Sequence, residues 1–354
     1  MIARGWRPIL HLSVLSGLII LCVLGWRLAP VRAGQLPTSS TPSKEVVPQT
    51  ESICAGRFTL HLPTPISGGF SQQQFNNLQL SWQPLHEPEA AHDAAPWKSY
   101  VDRLREEQGK EFAKSRIVKD YMLDGRQAVF YRFVPTDDSP YTLETWTVYG
   151  DQVLASSFDG RGNDLANIEQ VTLNVLHHFV LTSEDPILGS RFVLASPDRE
   201  LNSAFCVQGG AIRLPPDYGE QLDGSWSLPQ KYDLDFSTVV YTIPTKINLV
   251  KKTREAVIQS GITPGSHLTV VRAGDRTVLG MVGQESVVYY RNAPEPAKVY
   301  TATFQYGGSP DKASMPGLKL TLSAYDRSDQ KVDVKDFVAT WDSILQTMEV
   351  RLKD

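Results

Sequence analysis

Serine, histidine, cysteine and carboxylate side chains carry most protein chemistry, and this chain spaces them in ways that do not assemble a reaction. The G-x-S-x-G turn that lifts a nucleophilic serine out of a sheet is absent, as are the phosphate loops G-x-x-x-x-G-K-[ST] and G-x-G-x-x-G and the zinc helix H-E-x-x-H. The nearest approach to a nucleophile turn, Gly307-Gly308-Ser309, runs into Pro310-Asp311. Proline and aspartate there prevent the helix that such a serine needs, so the stretch reads as a surface turn. His86-Glu87, Glu89 and His92 are zinc-type ligands. Pro84, Pro88 and Pro96 break the stretch, however, and no helix aims these groups together. His177 and His178 are neighbours on an expected helix and point about 100° apart, which leaves one half-buried and the other exposed. The remaining route to catalysis is a carboxylate pair that no motif announces. The reading is a protein that is not an enzyme, with no catalytic residues, metal or cofactor.

Two residue types point elsewhere. Of the three cysteines, Cys22 lies in the apolar N-terminus, while Cys54 and Cys206 lie in the body. In an exported protein the latter two can pair, and the alternative is two buried thiols. Trp226 sits in the turn-rich stretch Asp223-Gly-Ser-Trp-Ser227. An aromatic there is a candidate partner-binding anchor or a tucked-in loop residue.

The elements that position these residues come twice. Cys54-Ala-Gly-Arg-Phe-Thr-Leu-His-Leu-Pro63 and Cys206-Val-Gln-Gly-Gly-Ala-Ile-Arg-Leu-Pro215 share the interval from cysteine to proline and stand 152 residues apart. Apolar Phe58, Leu60 and Leu62 alternate with polar neighbours, which predicts a half-buried strand stopped by proline. In each half a helix, a run of strands and a longer amphipathic helix follow. In the first, Trp97, Tyr100, Val101 and Leu104 form a helical stripe, strands fall at 127–134, 142–149 and 153–158, and Leu165, Ile168, Val175 and Phe179 line the closing helix. In the second, strands fall at 268–272, 285–290, 299–306 and 318–324, and Val334 to Met348 forms the closing helix behind Asp333 as its cap. The expected fold class is α+β, two related domains, each an antiparallel sheet with helices packed on one face. The domains are expected at 53–183 and 203–354, with a linker at 184–202. The lesser possibility is one domain whose halves share a sheet.

The 41% apolar content suits a globular protein with real cores. The net charge is -4, but Arg4, Arg7, Arg27 and Arg32 stand in an acid-free N-terminus, so the remainder carries -8. An acidic body argues against nucleic acid or an anionic bilayer surface as direct ligand. Arg4 and Arg7 precede the apolar run Ile9 to Trp26, and Val31-Arg32-Ala33 offers a peptidase site. Residues 1–33 therefore read as a signal peptide or an uncleaved inner-membrane anchor. Leu21 and Ile20 stand where a lipidation site before Cys22 usually has small residues. Residues 34–52, rich in proline and hydroxyls, read as a flexible tether.

Taken together, Cys54-Ala-Gly-Arg-Phe with Leu62-Pro63, Phe205-Cys-Val-Gln-Gly-Gly210, Val271-Arg272 with Gly280-Met-Val-Gly-Gln-Glu285, and Trp341-Asp-Ser-Ile-Leu-Gln346 leading to Arg351 resemble a known family. It is the two-domain immunity proteins cognate to the fourth class of type VI secretion phospholipase effectors. The resemblance implies a periplasmic protein that binds a cognate secreted phospholipase toxin, clamps it between two lobes, and blocks its lid or cleft. The rival reading from the residues is a non-catalytic periplasmic scaffold or envelope-assembly protein.

Overall fold

The N-terminal hairpin shows how directly residue pattern becomes structure. β1 (Thr50–Ala55) and β2 (Phe58–Pro63) pair antiparallel about Gly56, whose φ of +58° suits a residue without a Cβ. Phe58, Leu60 and Leu62 are buried and alternate with half-buried Thr59, His61 and Pro63, the expected half-buried strand. The strand starts at Thr50, inside the segment read as tether.

The computed structural model describes residues 49–84, 116–123, 125–133, 141–150, 152–160, 165–181, 203–240, 245–262, 265–291, 298–309, 312, 314–326 and 331–351. These belong to one compact unit, Pro48–Asp354. The expected helix at 97–104, the metal-type cluster from His86 to His92 and the linker at 184–202 lie outside the described residues.

After β2 the first half supplies β3 (Ser67–Phe75), β4 (Leu78–Pro84), β5 (Arg116–Leu123), β6 (Arg126–Phe133), β7 (Tyr141–Tyr149) and β8 (Gln152–Gly160), then helix α1 (Leu165–His177) and β9 (Phe179–Leu181). The second half opens with β10 (Phe205–Val207) and β11 (Gly210–Ile212), continues through β12 (Gln221–Leu228), β13 (Tyr232–Val239) and α2 (Leu249–Ile262), and then forms β14 (His267–Val278), β15 (Met281–Arg291), β16 (Lys298–Tyr306) and β17 (Gly317–Asp326). It closes with α3 (Val334–Thr347) and β18 (Glu349–Val350). The overall class is α+β. Phe179, expected on the closing helix, begins β9 instead.

One antiparallel sheet of 12 strands joins the halves, in the order β14-β15-β16-β17-β13-β12-β3-β4-β8-β7-β6-β5. Its centre is the seam where β3 meets β12, with partners from Gln74↔Gln221 to Ser67↔Ser227. Outward from this seam the connections follow the same pattern in both directions. Gly68 sits in the seam at φ +118°, and a Cβ there would collide with the Ser225 carbonyl oxygen.

Two small sheets interlock the halves further. β9, after the helix of the first half, pairs with β11 of the second; β18, after the helix of the second half, pairs with β2 of the first. Each half thus completes the small sheet that the other opens. One apolar cluster runs through both halves, from Phe58, Phe75 and Val175 to Phe236, Phe304 and Trp341.

The helices do not share one face. Trp341 on α3 donates its indole N–H to Glu285, whereas Thr253 on α2 donates to the neighbouring Ser286. Adjacent strand residues point to opposite faces, so the two helices cover opposite sides of β15. The expectation of helices on one face is corrected here. The reason is that α2 has as buried residues only Thr253 and Ser260, so no apolar stripe marks its seat.

Gly68→Ala should destabilise the protein by about 1–3 kcal/mol through strained backbone and a forced shift at the seam. Urea unfolding checks it: a lowered midpoint is expected, and an unchanged one would show that the seam tolerates a side chain there.

Candidate functional site

The residues quoted for the resemblance gather in two buried or part-buried clusters. At the first, a disulfide joins Cys54 of β1 to Cys206 of β10, with Cα atoms 5.7 Å apart. Beside it Gly56 N–H donates to the Cys206 carbonyl at 3.0 Å and Cys206 N–H to the Gly56 carbonyl at 2.8 Å. Arg57 then crosses into the second half. Its Nε donates to Glu220 at 3.1 Å and its Nη2 to the other Glu220 oxygen at 2.5 Å, a forked pair whose side chains are 1% and 2% exposed. The guanidinium also donates to the carbonyls of Leu214, at 3.0 Å, and Ser203. Phe75 and Phe205 stand 5.8 and 5.6 Å from its central carbon. Burial pushes the Glu220 carboxyl up, and the Arg57 hydrogen bonds and charge only partly oppose this.

The second cluster seats α3. Arg272 and Arg276 of β14 both bind Glu285 of β15 and Asp342 of α3. The Arg272 pairs measure 2.5 and 2.7 Å, and Arg276 reaches Asp342 at 2.7 Å. Trp341 Nε1 adds a donor to Glu285 at 2.7 Å. Burial by itself would raise the Asp342 carboxyl, but the two arginines outweigh it and hold the group below the usual aspartate range. Asp333 caps α3 as expected, accepting from the N–H groups of Lys335 and Asp336.

Trp226 does not lie in a turn. It belongs to β12, is 1% exposed, and packs edge-on against Phe70 and Phe236. This burial removes it as a partner-binding anchor. Serine, glycine and aspartate around it suggested a loop, but the β12–β13 pairing overrides those local preferences. His177 and His178 are both exposed, which corrects the expectation that one is half-buried; His178 Nδ1 pairs locally with the Asn174 carbonyl. Ser309 lies in a loop, its N–H bonded to the Met315 carbonyl. Among the described residues there is no group of three or more potential metal ligands, and no helix is long and apolar enough to cross a membrane.

The outward side of α2 is the surface feature that sequence reasoning missed. Val257, Ile258 and Ile262 are exposed there, the last two at 66% and 71%, beside exposed Val270 and Val271 on the edge strand β14. These apolar side chains share the exposed side of α2 with Lys251, Lys252, Arg254, Glu255 and Gln259.

Residues 202–353 match the family model described as Tle cognate immunity protein 4 C-terminal domain. The match covers the second half of the body, and its description is that of an immunity protein. The fold extends the likeness to the whole body. The chain superimposes with a TM-score of 0.66 at 14% identity on the apo structure of the immunity protein TplEi of the type VI secretion system from Pseudomonas aeruginosa, covering 86% of this chain and 98% of that one. TplEi in complex with an "L" peptide matches with a TM-score of 0.62 at 16% identity, covering 85% and 98%. The structure of a Tle4-Tli4 complex matches with a TM-score of 0.65 at 15% identity, covering 86% and 98%. No curated protein matches the chain. The matched segment contains Cys206, Glu220 and the whole cluster around Glu285, so these motif residues build its scaffold.

Two measurements check this structural role. Arg57→Ala leaves Glu220 buried and unpaired and should cost about 3–5 kcal/mol; a loss within error of zero in a denaturant titration would contradict it. A carboxyl depressed in the folded state lends stability at pH values above its unfolded pKa, about 3.9, and that contribution is lost as pH falls through the folded value. Asp342→Asn should therefore flatten the acid limb of a melting-temperature profile below about pH 4. Identical acid limbs would remove Asp342 from the account.

Proposed function

We propose that this chain is an immunity protein that binds a type VI secretion phospholipase effector in the periplasm and holds it inactive. The observation that carries the reading is the family match over 202–353. The likeness to a fold whose relatives include a partner of a Tle4-Tli4 complex and a peptide-bound TplEi supports it. The disulfide suits an exported location.

Inhibition needs no reactive group on the inhibitor. A lipase that opens a lid at an interface stops turning over when a binder favours the closed state or fills the cleft, because differential affinity alone shifts the population. Two related domains, 53–183 and 203–354, meeting at one seam act as lobes that clamp the effector and bury a large area together. Residues 1–33 export the body as a signal peptide or anchor it to the inner membrane, with the segment from 34 toward the first strand as tether.

Purified chain titrated into its cognate type VI secretion phospholipase effector should abolish phospholipid hydrolysis near a one-to-one ratio and co-purify with it, while showing no hydrolase activity alone. Full lipase activity at excess chain, or turnover by the chain that a single substitution removes, would overturn the reading.

A further inference from the structure

The two hairpins flanking the seam behave differently. β12 and β13 pair along their whole length, from Leu228↔Tyr232 to Gln221↔Val239. β3 and β4 leave the Asn76-Asn77 turn, where φ is 48° and 64°, as neighbours and then part. They pair only at Gln74↔Gln79 and Phe75↔Leu78, although β3 extends back to Ser67 and β4 on to Pro84. β12 holds the outer edge of β3 and β8 that of β4. Among the described residues, the inner edges of both strands therefore lack the partner that a sheet interior provides.

The opening is built. On its core side Gln208, at the β10–β11 turn, donates its N–H to the Gln73 side chain and accepts from Trp82 Nε1 at 2.7 Å. One residue thus ties both strands and holds them apart. On the other side lies a cavity of about 440 Å³, a volume typical of ligand sites. Ser71 and Gln72 form one wall, Gln79 and Ser81 the other, and Ser157 and Glu144 the floor. Amides and hydroxyls of this kind suit a polypeptide backbone, whereas an acyl chain would leave them without hydrogen bonds. The floor is also acidic: Asp159 lies two residues beyond Ser157 on the same strand face, and its charge reaches Glu144. Burial first and Asp159 second push the Glu144 carboxyl up. Among the described residues no basic group is paired with Glu144.

We propose that the fork between β3 and β4 receives an extended segment of the effector, which adds as a strand to a free edge and sets a lysine or arginine against Glu144. Backbone pairing would supply affinity and the basic side chain would supply register. This rests on the reading of the chain as an effector-binding immunity protein and names where part of that effector docks.

The test is hydrogen exchange on the full chain, free and mixed with the cognate phospholipase effector, alongside capture by Ser81→Trp and Glu144→Gln variants. In the complex, amides within 69–73 and 80–83 should exchange at least about tenfold more slowly. Ser81→Trp, which fills the slot from an exposed position, should weaken capture about tenfold or more at an unchanged melting temperature, and Glu144→Gln should weaken it less. Equal exchange at these amides in free and bound chain, or full-strength capture by both variants while the lipase is still inhibited, would overturn the fork as a docking site. Failure of the unmodified chain to capture the lipase would overturn the function reading and this proposal with it.

Discussion

A guanidinium sealed from water must find an acceptor for every donor and an anion for its charge, and Arg57 finds them in the other half of the chain. Glu220 neutralises it, and the Leu214 and Ser203 carbonyls take further donors. Its own carbonyl accepts from Arg351 at the far end of the fold. Removing one member of such a pair leaves an uncompensated buried charge, so the first hairpin, the Ser203–Glu220 region and the terminal strand are held as a set. The disulfide from Cys54, in the same hairpin as Arg57, closes the same junction covalently. The exchanged strands β9 and β18 repeat the logic with backbone hydrogen bonds.

This junction bears on binding. A clamp with freely hinged lobes loses ordering entropy each time it closes, whereas one held at its seam has already met most of that cost in folding. In the clamp proposed above, the shared sheet, the Arg57–Glu220 pair and the interlocked strands would hold the seam while the outer strands meet the effector. The motif residues around Glu285 serve the same purpose at a distance by fixing α3 on β14 and β15. The exposed apolar residues of α2 and the β3–β4 fork proposed as a docking site lie outside this set of contacts.

Much of this was legible from residue order because local periodicity is local physics. Alternation at Phe58, Leu60 and Leu62 marked β2, and the stripe from Phe337 to Leu345 behind Asp333 marked α3, since in each the buried face repeats at the period of the element. Elements without a periodic apolar face were hidden. β12 carries serine, glycine and aspartate around Trp226 and resembles a loop until β3 and β13 pair with it; α2 seats itself through Thr253 and Ser260. Strand exchange and the β3–β12 seam depend on pairings between residues far apart in the chain, which no local window contains. Cys54 and Cys206 were visible as a possible pair, but the fork was not, because it consists of pairing that is missing.

The central claim is that the two halves form one interlocked unit that acts on the effector as a whole. It is tested most directly by inserting a protease site between residues 184 and 202 and cutting the folded chain. The account predicts that the cut pieces stay together after reduction and inhibit the cognate phospholipase effector as the intact chain does, while residues 203–354 expressed alone neither fold stably nor inhibit. A separate 203–354 fragment that folds and inhibits as well as the full chain would contradict it.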